Sequence, residues 1–303
     1  MDSYPSDGRP PGADYDLLRT QALEPLRVER AILSYNVGFE VAHENPYLAA
    51  ALASASNDWS LEQWLTDVDD RLYGGLLVGT QLPEEAAKEI RRVGEHPRMV
   101  EVLVVDGGLG QPFGHPVYHP IYDAAAEFDL PVAIHFGTNI TGALPAFAAG
   151  GMPQTTMEYY PLLNQAAMHH ATSLITHGVF EKWPRLKVVF LESGCNWVPW
   201  LFSQLDAHWD LFRRESPWVK KQPTDYLREN LRFGVQPFEP AEEPRQLIRL
   251  LETVPEIENL LLFSTDYPHW DTDELEYVAR HLPDQWQAKV SYENAREIYR
   301  WPD

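Results

Sequence analysis

Phe263-Ser-Thr-Asp-Tyr-Pro-His-Trp-Asp271 (FSTDYPHWD) decides how the rest of the chain is read. It continues the apolar run Leu260-Leu261-Leu262, so Asp266 falls where a buried parallel strand would end. In a barrel of alternating strands and helices, the C-terminal ends of the strands line the catalytic mouth. An acid there, followed by Tyr-Pro-His-Trp-Asp, reads as a site rather than a connector. Asp266 as the cap of a helix starting near Thr272 is the weaker reading, because Asp271 and Thr272 stand closer to that start.

Six further apolar runs precede it. They are Arg30–Tyr35, Leu72–Gly79, Val100–Val105, Pro131–Phe136, Leu186–Glu192 and Leu231–Val235, with Leu260–Ser264 as the seventh. Amphipathic stretches separate them. Pro83–Val93 carries acids in its first turn and arginines in its last, as the helix dipole favours. Ile121–Phe128, Pro199–Asp210 and Pro244–Leu251 have similar spacing. Runs this apolar, alternating with helices, predict a parallel α/β fold covered on both faces. A closed (β/α)8 barrel needs eight strands, and nothing before Asp14 supplies another. An open doubly wound sheet is the alternative, weakened by the lack of a glycine-rich phosphate loop after the first strand. Residues 1–13, rich in Pro, Gly and Ser, read as an extended or disordered arm, with a single domain over 14–303.

Composition narrows the partners. The chain has 303 residues and a net charge of -21, from 24 basic and 45 acidic residues, which disfavours nucleic acid and anionic membranes. One cysteine, Cys195, rules out an intrachain disulfide and a thiolate zinc cluster. No run approaches membrane-spanning length and no signal-peptide core is visible, so a soluble, cytoplasmic protein is expected.

Four blocks carry a resemblance: Pro131–His135; Gly178–Pro184 running into Leu186–Gly194; Phe263–His269; and Ser291–Tyr299. In this order they resemble the amidohydrolase-related metal-dependent hydrolases, TIM barrels whose relatives include aminocarboxymuconate semialdehyde decarboxylase. The resemblance implies His135 as a metal ligand and Asp266 as both ligand and proton shuttle. It puts Glu192, in Glu-Ser-Gly, where many members have a catalytic histidine. The family's first strand carries an H-x-H or D-x-H pair of further ligands, and no such pair stands near this N-terminus. The missing strand and the missing ligands are one segment: either the chain is shortened, or half the metal site is lost. A barrel opened in this way exposes strand edges and apolar core, so a homo-oligomer or a further N-terminal segment is expected to cover them.

The residues themselves weigh as follows. His135 and Asp266 are ligand types a borderline cation accepts, and zinc is the expected metal. Either could instead be structural, His135 as a core histidine satisfied by a backbone carbonyl. Glu192 ends a strand of apolar residues, where burial favours general-acid work; a salt bridge is its alternative. His177 is a third ligand or acid/base, or simply a helix C-terminus before Gly178. His269, Trp270 and Asp271 are expected to shape the substrate pocket or to orient the metal ligands, with plain packing the alternative for Trp270, and Tyr159-Tyr160 with His169-His170 to line the pocket's base or to pack in the core. The Gly- and Ala-rich stretch Gly137–Met152 reads as a lid. Cys195 has no histidine beside it in sequence, which disfavours a nucleophilic role. These residues predict an enzyme acting on a small organic acid, by metal-dependent hydrolysis or non-oxidative decarboxylation. A metal-independent lactonase-like enzyme and a non-catalytic partner subunit are the alternatives.

Overall fold

The seven apolar runs form seven strands in the computed structural model, which describes residues 3–35, 45–105, 109–136, 154–162, 164–238, 244–299 and 301. These are β1 (Ala31–Leu33), β2 (Leu72–Val78), β3 (Met99–Val105), β4 (Val132–His135), β5 (Val188–Leu191), β6 (Leu231–Gly234) and β7 (Leu261–Leu262). Every pairing is parallel and the strands lie in sequence order. That order has no reversal point, so the doubly wound alternative falls and a half-barrel of the TIM type stands. Among the described residues β1 and β7 each pair with one neighbour.

Side chains alternate across the strands, as a pleated backbone requires. Tyr73, Leu77, Leu103, Val105, Ala133, Val189 and Leu262 form an inner cluster. Leu76, Val102, Val104, Ile134, Phe190 and Phe233 face the helix layer. The main helices are α1 (Pro46–Gln63), α2 (Pro83–Val93), α3 (His119–Glu127), α4 (Asn164–Thr176), α5 (Val198–Phe212), α6 (Pro223–Asn230), α7 (Pro244–Leu251) and α8 (Leu275–His281).

α1 has no apolar stripe to announce it. Its buried positions are Ala49, Ala53, Asn57 and Ser60, small or polar side chains at helical spacing. It starts because the Asn45 side chain accepts from the Tyr47 and Leu48 amides, with Pro46 opening the first turn. Asn57 does a strand's work. The β1–β2 ladder stops at Leu33 and Gly74, and farther along β2 the Asn57 amide accepts from Leu77 N at 2.8 Å and donates to Leu77 O at 2.9 Å.

The opening between β7 and β1 is partly covered by the chain's own C-terminal segment. Phe263 N donates to Val290 O at 2.9 Å, and Asn294 Nδ2 donates to Leu261 O at 2.7 Å. Beyond it, Trp301 packs edge-on to Tyr73 at 4.7 Å and lies under the Arg30 guanidinium. The N-terminal arm is not free either. Ser3 and Pro5 are buried, and the Ser3 hydroxyl donates to Pro268 O at 3.4 Å. Among the described residues no helix is long and apolar enough to cross a membrane.

Candidate active site

Parallel strands deliver their C-terminal residues to one edge, here His135 from β4, Glu192 just past β5, Gln236 just past β6 and Asp266 past β7. Glu192 and Asp266 both adopt left-handed backbone, with φ of 50° and 57°. A side chain other than glycine pays roughly 1–2 kcal/mol there, a strain typical of functional sites. The turn after β5 is held by Gly194 N donating to Gln236 O at 3.1 Å.

Two carboxylate–imidazole pairs meet at this edge. His135 Nε2 lies 3.1 Å from Glu192 Oε2, and His135 Nδ1 donates to Phe136 O at 2.9 Å. Because a carbonyl can only accept, Nδ1 carries a proton and Nε2 is the atom that faces Glu192. Burial pushes the His135 imidazole down, but Glu192, the Phe136 carbonyl and Asp266 outweigh it and the net direction is up. In the second pair, His269 Nδ1 lies 2.7 Å from Asp266 Oδ2. Burial and the nearby Glu192 charge raise the Asp266 carboxyl despite the His269 bond; that same bond, against burial, raises His269.

Among the described residues, one group of three could hold a metal: Glu192, Asp266 and His269, whose donor atoms lie within 4.8 Å of one another. Two carboxylates and an imidazole, without thiolate, suit a borderline or hard divalent ion such as zinc or manganese. His135 stands beside this group, through Glu192, rather than in it.

A second layer faces the group. The Tyr160 hydroxyl donates to Asp271 Oδ2 at 3.2 Å, and its ring meets Trp270 edge-on at 5.6 Å. Burial, then the Asp271 charge and bond, push the Tyr160 hydroxyl up to about 12, with Glu192 adding to the shift. Trp270 is 81% exposed, a flat face left open to solvent. Asp273 braces the loop by accepting from Phe238 N at 2.7 Å while its own amide donates to Thr265 O at 2.9 Å.

The structure does not bring His177 to this edge. It is exposed past the end of α4, its Nδ1 at 3.0 Å from the Ser173 hydroxyl and its ring 6.2 Å from His115. Gly178, at φ 74°, ends the helix as the alternative reading required. His170 is buried and accepts from Phe113 N; burial holds its imidazole down at about 3, so it is core rather than pocket. Cys195 is buried, with a thiol pushed up to about 12, which disfavours thiolate chemistry. Gly137–Met152 lies outside the described residues. Sequence reading missed Gln236 and Asp273. The strand-end rule that singled out Asp266 also reaches Gln236, two residues past β6.

The amidohydrolase family model matches residues 3–301. The chain belongs to the amidohydrolase family. Among curated members, gamma-resorcylate decarboxylase from a Rhizobium species is 22% identical over 299 residues, covering 93% of this chain and 86% of that protein. The solved 2,6-dihydroxybenzoate decarboxylase from Rhizobium superposes with a TM-score of 0.72 at 21% identity, over 94% of this chain and 88% of that one. The 5-carboxyvanillate decarboxylase of Sphingomonas paucimobilis gives 0.72 at 21% identity, over 95% and 84%. A dihydroxybenzoic acid decarboxylase from a Polaromonas species, solved with manganese and 2-nitroresorcinol, gives 0.73 at 21% identity, over 94% and 86%. Relatives of this amidohydrolase thus include non-oxidative decarboxylases of aromatic acids, one of them solved with manganese.

Proposed function

We propose that this amidohydrolase is a divalent-metal-dependent, non-oxidative decarboxylase of a small aromatic acid. The observation that carries the reading is the convergence of Glu192, Asp266 and His269 within 4.8 Å, with both acids in strained backbone at strand ends. The aromatic-acid decarboxylases among its relatives support decarboxylation over hydrolysis. The lactonase-like alternative needs protein cations at the site. Among the described residues no lysine or arginine forms an ion pair with Glu192, Asp266 or Asp271, which disfavours it.

Glu192, Asp266 and His269 would hold the ion, and His135 would fix the Glu192 carboxylate through its 3.1 Å contact. When bound, a divalent cation supplies positive charge that attracts the substrate carboxylate and offsets charge developing in the transition state. Asp266 is the group to hand a proton to the ring carbon. The bond from that carbon to the carboxylate then breaks, its electron pair returns to the ring, and carbon dioxide leaves. His269, at 2.7 Å, restores the Asp266 proton. Trp270 and Tyr160 would flank the ring.

Calorimetric titration of metal-stripped protein with manganese and with zinc is expected to give about one site per chain. Glu192→Gln and His269→Ala are expected to weaken it by at least the roughly 10–100-fold that loss of a mere ligand-orienting partner costs, alongside carbon dioxide release from 2,6-dihydroxybenzoate by the loaded wild type. A site untouched by both substitutions would overturn the metal assignment, and absent carbon dioxide release from a loaded protein the decarboxylation.

We also infer a homo-oligomer, because Trp200 and Leu211 expose 56% and 71% of their surface on one face of α5, and Phe212 exposes 52% at its C-terminal end. Sedimentation of a monomer at micromolar concentration would overturn it.

A further inference from the structure

Asp271 is a half-buried carboxylate at the outer wall of the site, and neither the metal group nor the proton path uses it. Its hydrogen bond is from the Tyr160 hydroxyl, and no cation pairs with it among the described residues. It follows His269 by two residues in the same loop and accepts from the Tyr160 hydroxyl at 3.2 Å. The Tyr160 hydroxyl stays protonated across the working pH range, so it does not take up the aspartate's negative charge.

We propose that Asp271 is a specificity residue, a charge filter that restricts this enzyme to aromatic acids with a single carboxylate. The inference rests on the reading given under Proposed function. With its carboxylate at the Glu192–Asp266–His269 group, an aromatic acid would present its distal edge to the adjoining Trp270–Asp271 turn, where Tyr160 meets both residues. A neutral edge meets the exposed Trp270 face and the Tyr160 ring, which suit a planar apolar surface. A second carboxylate on that edge meets the Asp271 charge in a partly buried setting, where like charges repel more strongly than in water. Among the described residues no lysine or arginine pairs with Asp271, so none stands ready there to offset the second carboxylate's loss of hydration. Selectivity of this kind comes from a repulsive element against the wrong ligand.

The test compares salicylate with 5-carboxysalicylate, which differ by one carboxylate, as ligands of the manganese-loaded protein in calorimetry. Wild type is expected to bind salicylate at least about tenfold more tightly. Asp271→Asn keeps an acceptor for the Tyr160 hydroxyl but removes the charge, and should close the gap to about twofold. Tyr160→Phe removes the hydroxyl, leaves the charge, and should keep the gap. Equal binding of both acids by wild type, or an undiminished gap in a folded Asp271→Asn protein, overturns the filter alone. Failure of manganese-loaded wild type to bind salicylate overturns the aromatic-acid reading beneath it.

Discussion

Asp266→Asn is expected to lower turnover by on the order of 10²–10⁴-fold while leaving the fold intact. The magnitude is what a positioned proton donor contributes, and three features single out this carboxylate. It is half-buried, its carboxyl is raised by burial and by Glu192, and it is bonded to an imidazole at 2.7 Å that can return the proton. Asparagine tolerates left-handed backbone better than most residues, so the φ of 57° at this position gives the variant no reason to rearrange. Its carbonyl oxygen can still accept from His269, but an amide neither carries the proton nor neutralises a bound cation. Carbon dioxide release under saturating metal, set beside a thermal melt, separates the outcomes. Turnover within tenfold of wild type in a folded, metal-loaded variant would remove Asp266 from the proton path.

The residues of this edge differ in how openly the sequence declares them. All seven strands were legible, because a parallel strand buried on both faces must be apolar along its length, and Leu72–Val78 and Met99–Val105 are buried at every position. Once strands are known, parallel geometry forces their ends together, so the shared edge of His135, Glu192 and Asp266 was legible. What each does within it was not. Pairing of His135 with Glu192 rather than with Asp266 depends on how two left-handed residues aim their side chains, and no spacing rule encodes that. His177 misled for a related reason: a histidine before glycine ends a helix whether or not it meets a substrate. α1 stayed hidden because its buried face is alanine, serine and asparagine. Asn57 there bonds both backbone groups of Leu77, on β2 beyond the last pair that the described β1 residues make. Part of the cover expected from a partner is instead supplied by the chain's own Asn294–Trp301 region, a contact between distant parts of the chain that local pattern does not reveal.

The largest stability effect is expected from Glu101→Gln, a change in the inner core away from the metal group. Glu101 sits on β3 with 2% exposure, and Gly75 on β2 makes room for it: a Cβ there would come within 3.2 Å of Glu101 Oε1. The Tyr299 hydroxyl bonds the carboxylate, yet Oε2 is buried without a partner. Burial raises its carboxyl from an ordinary 4.5 to about 7, although the Tyr299 bond and the His135 charge oppose this. An acid raised in this way binds its proton more tightly in the folded state. Its contribution to stability is whole below about pH 4.5 and is lost as pH climbs through about 7. Glutamine is neutral throughout, nearly the same shape, and keeps an acceptor for Tyr299. Relative to wild type, the variant's unfolding free energy should therefore rise by about 2–3 kcal/mol between pH 5 and pH 8. Urea denaturation of both proteins at the two pH values reads this directly, and the repulsion among the chain's many surface acids cancels in the difference. A gap between variant and wild type that stays constant with pH would mean that Glu101 folds with its charge in place, stabilised by a partner stronger than Tyr299.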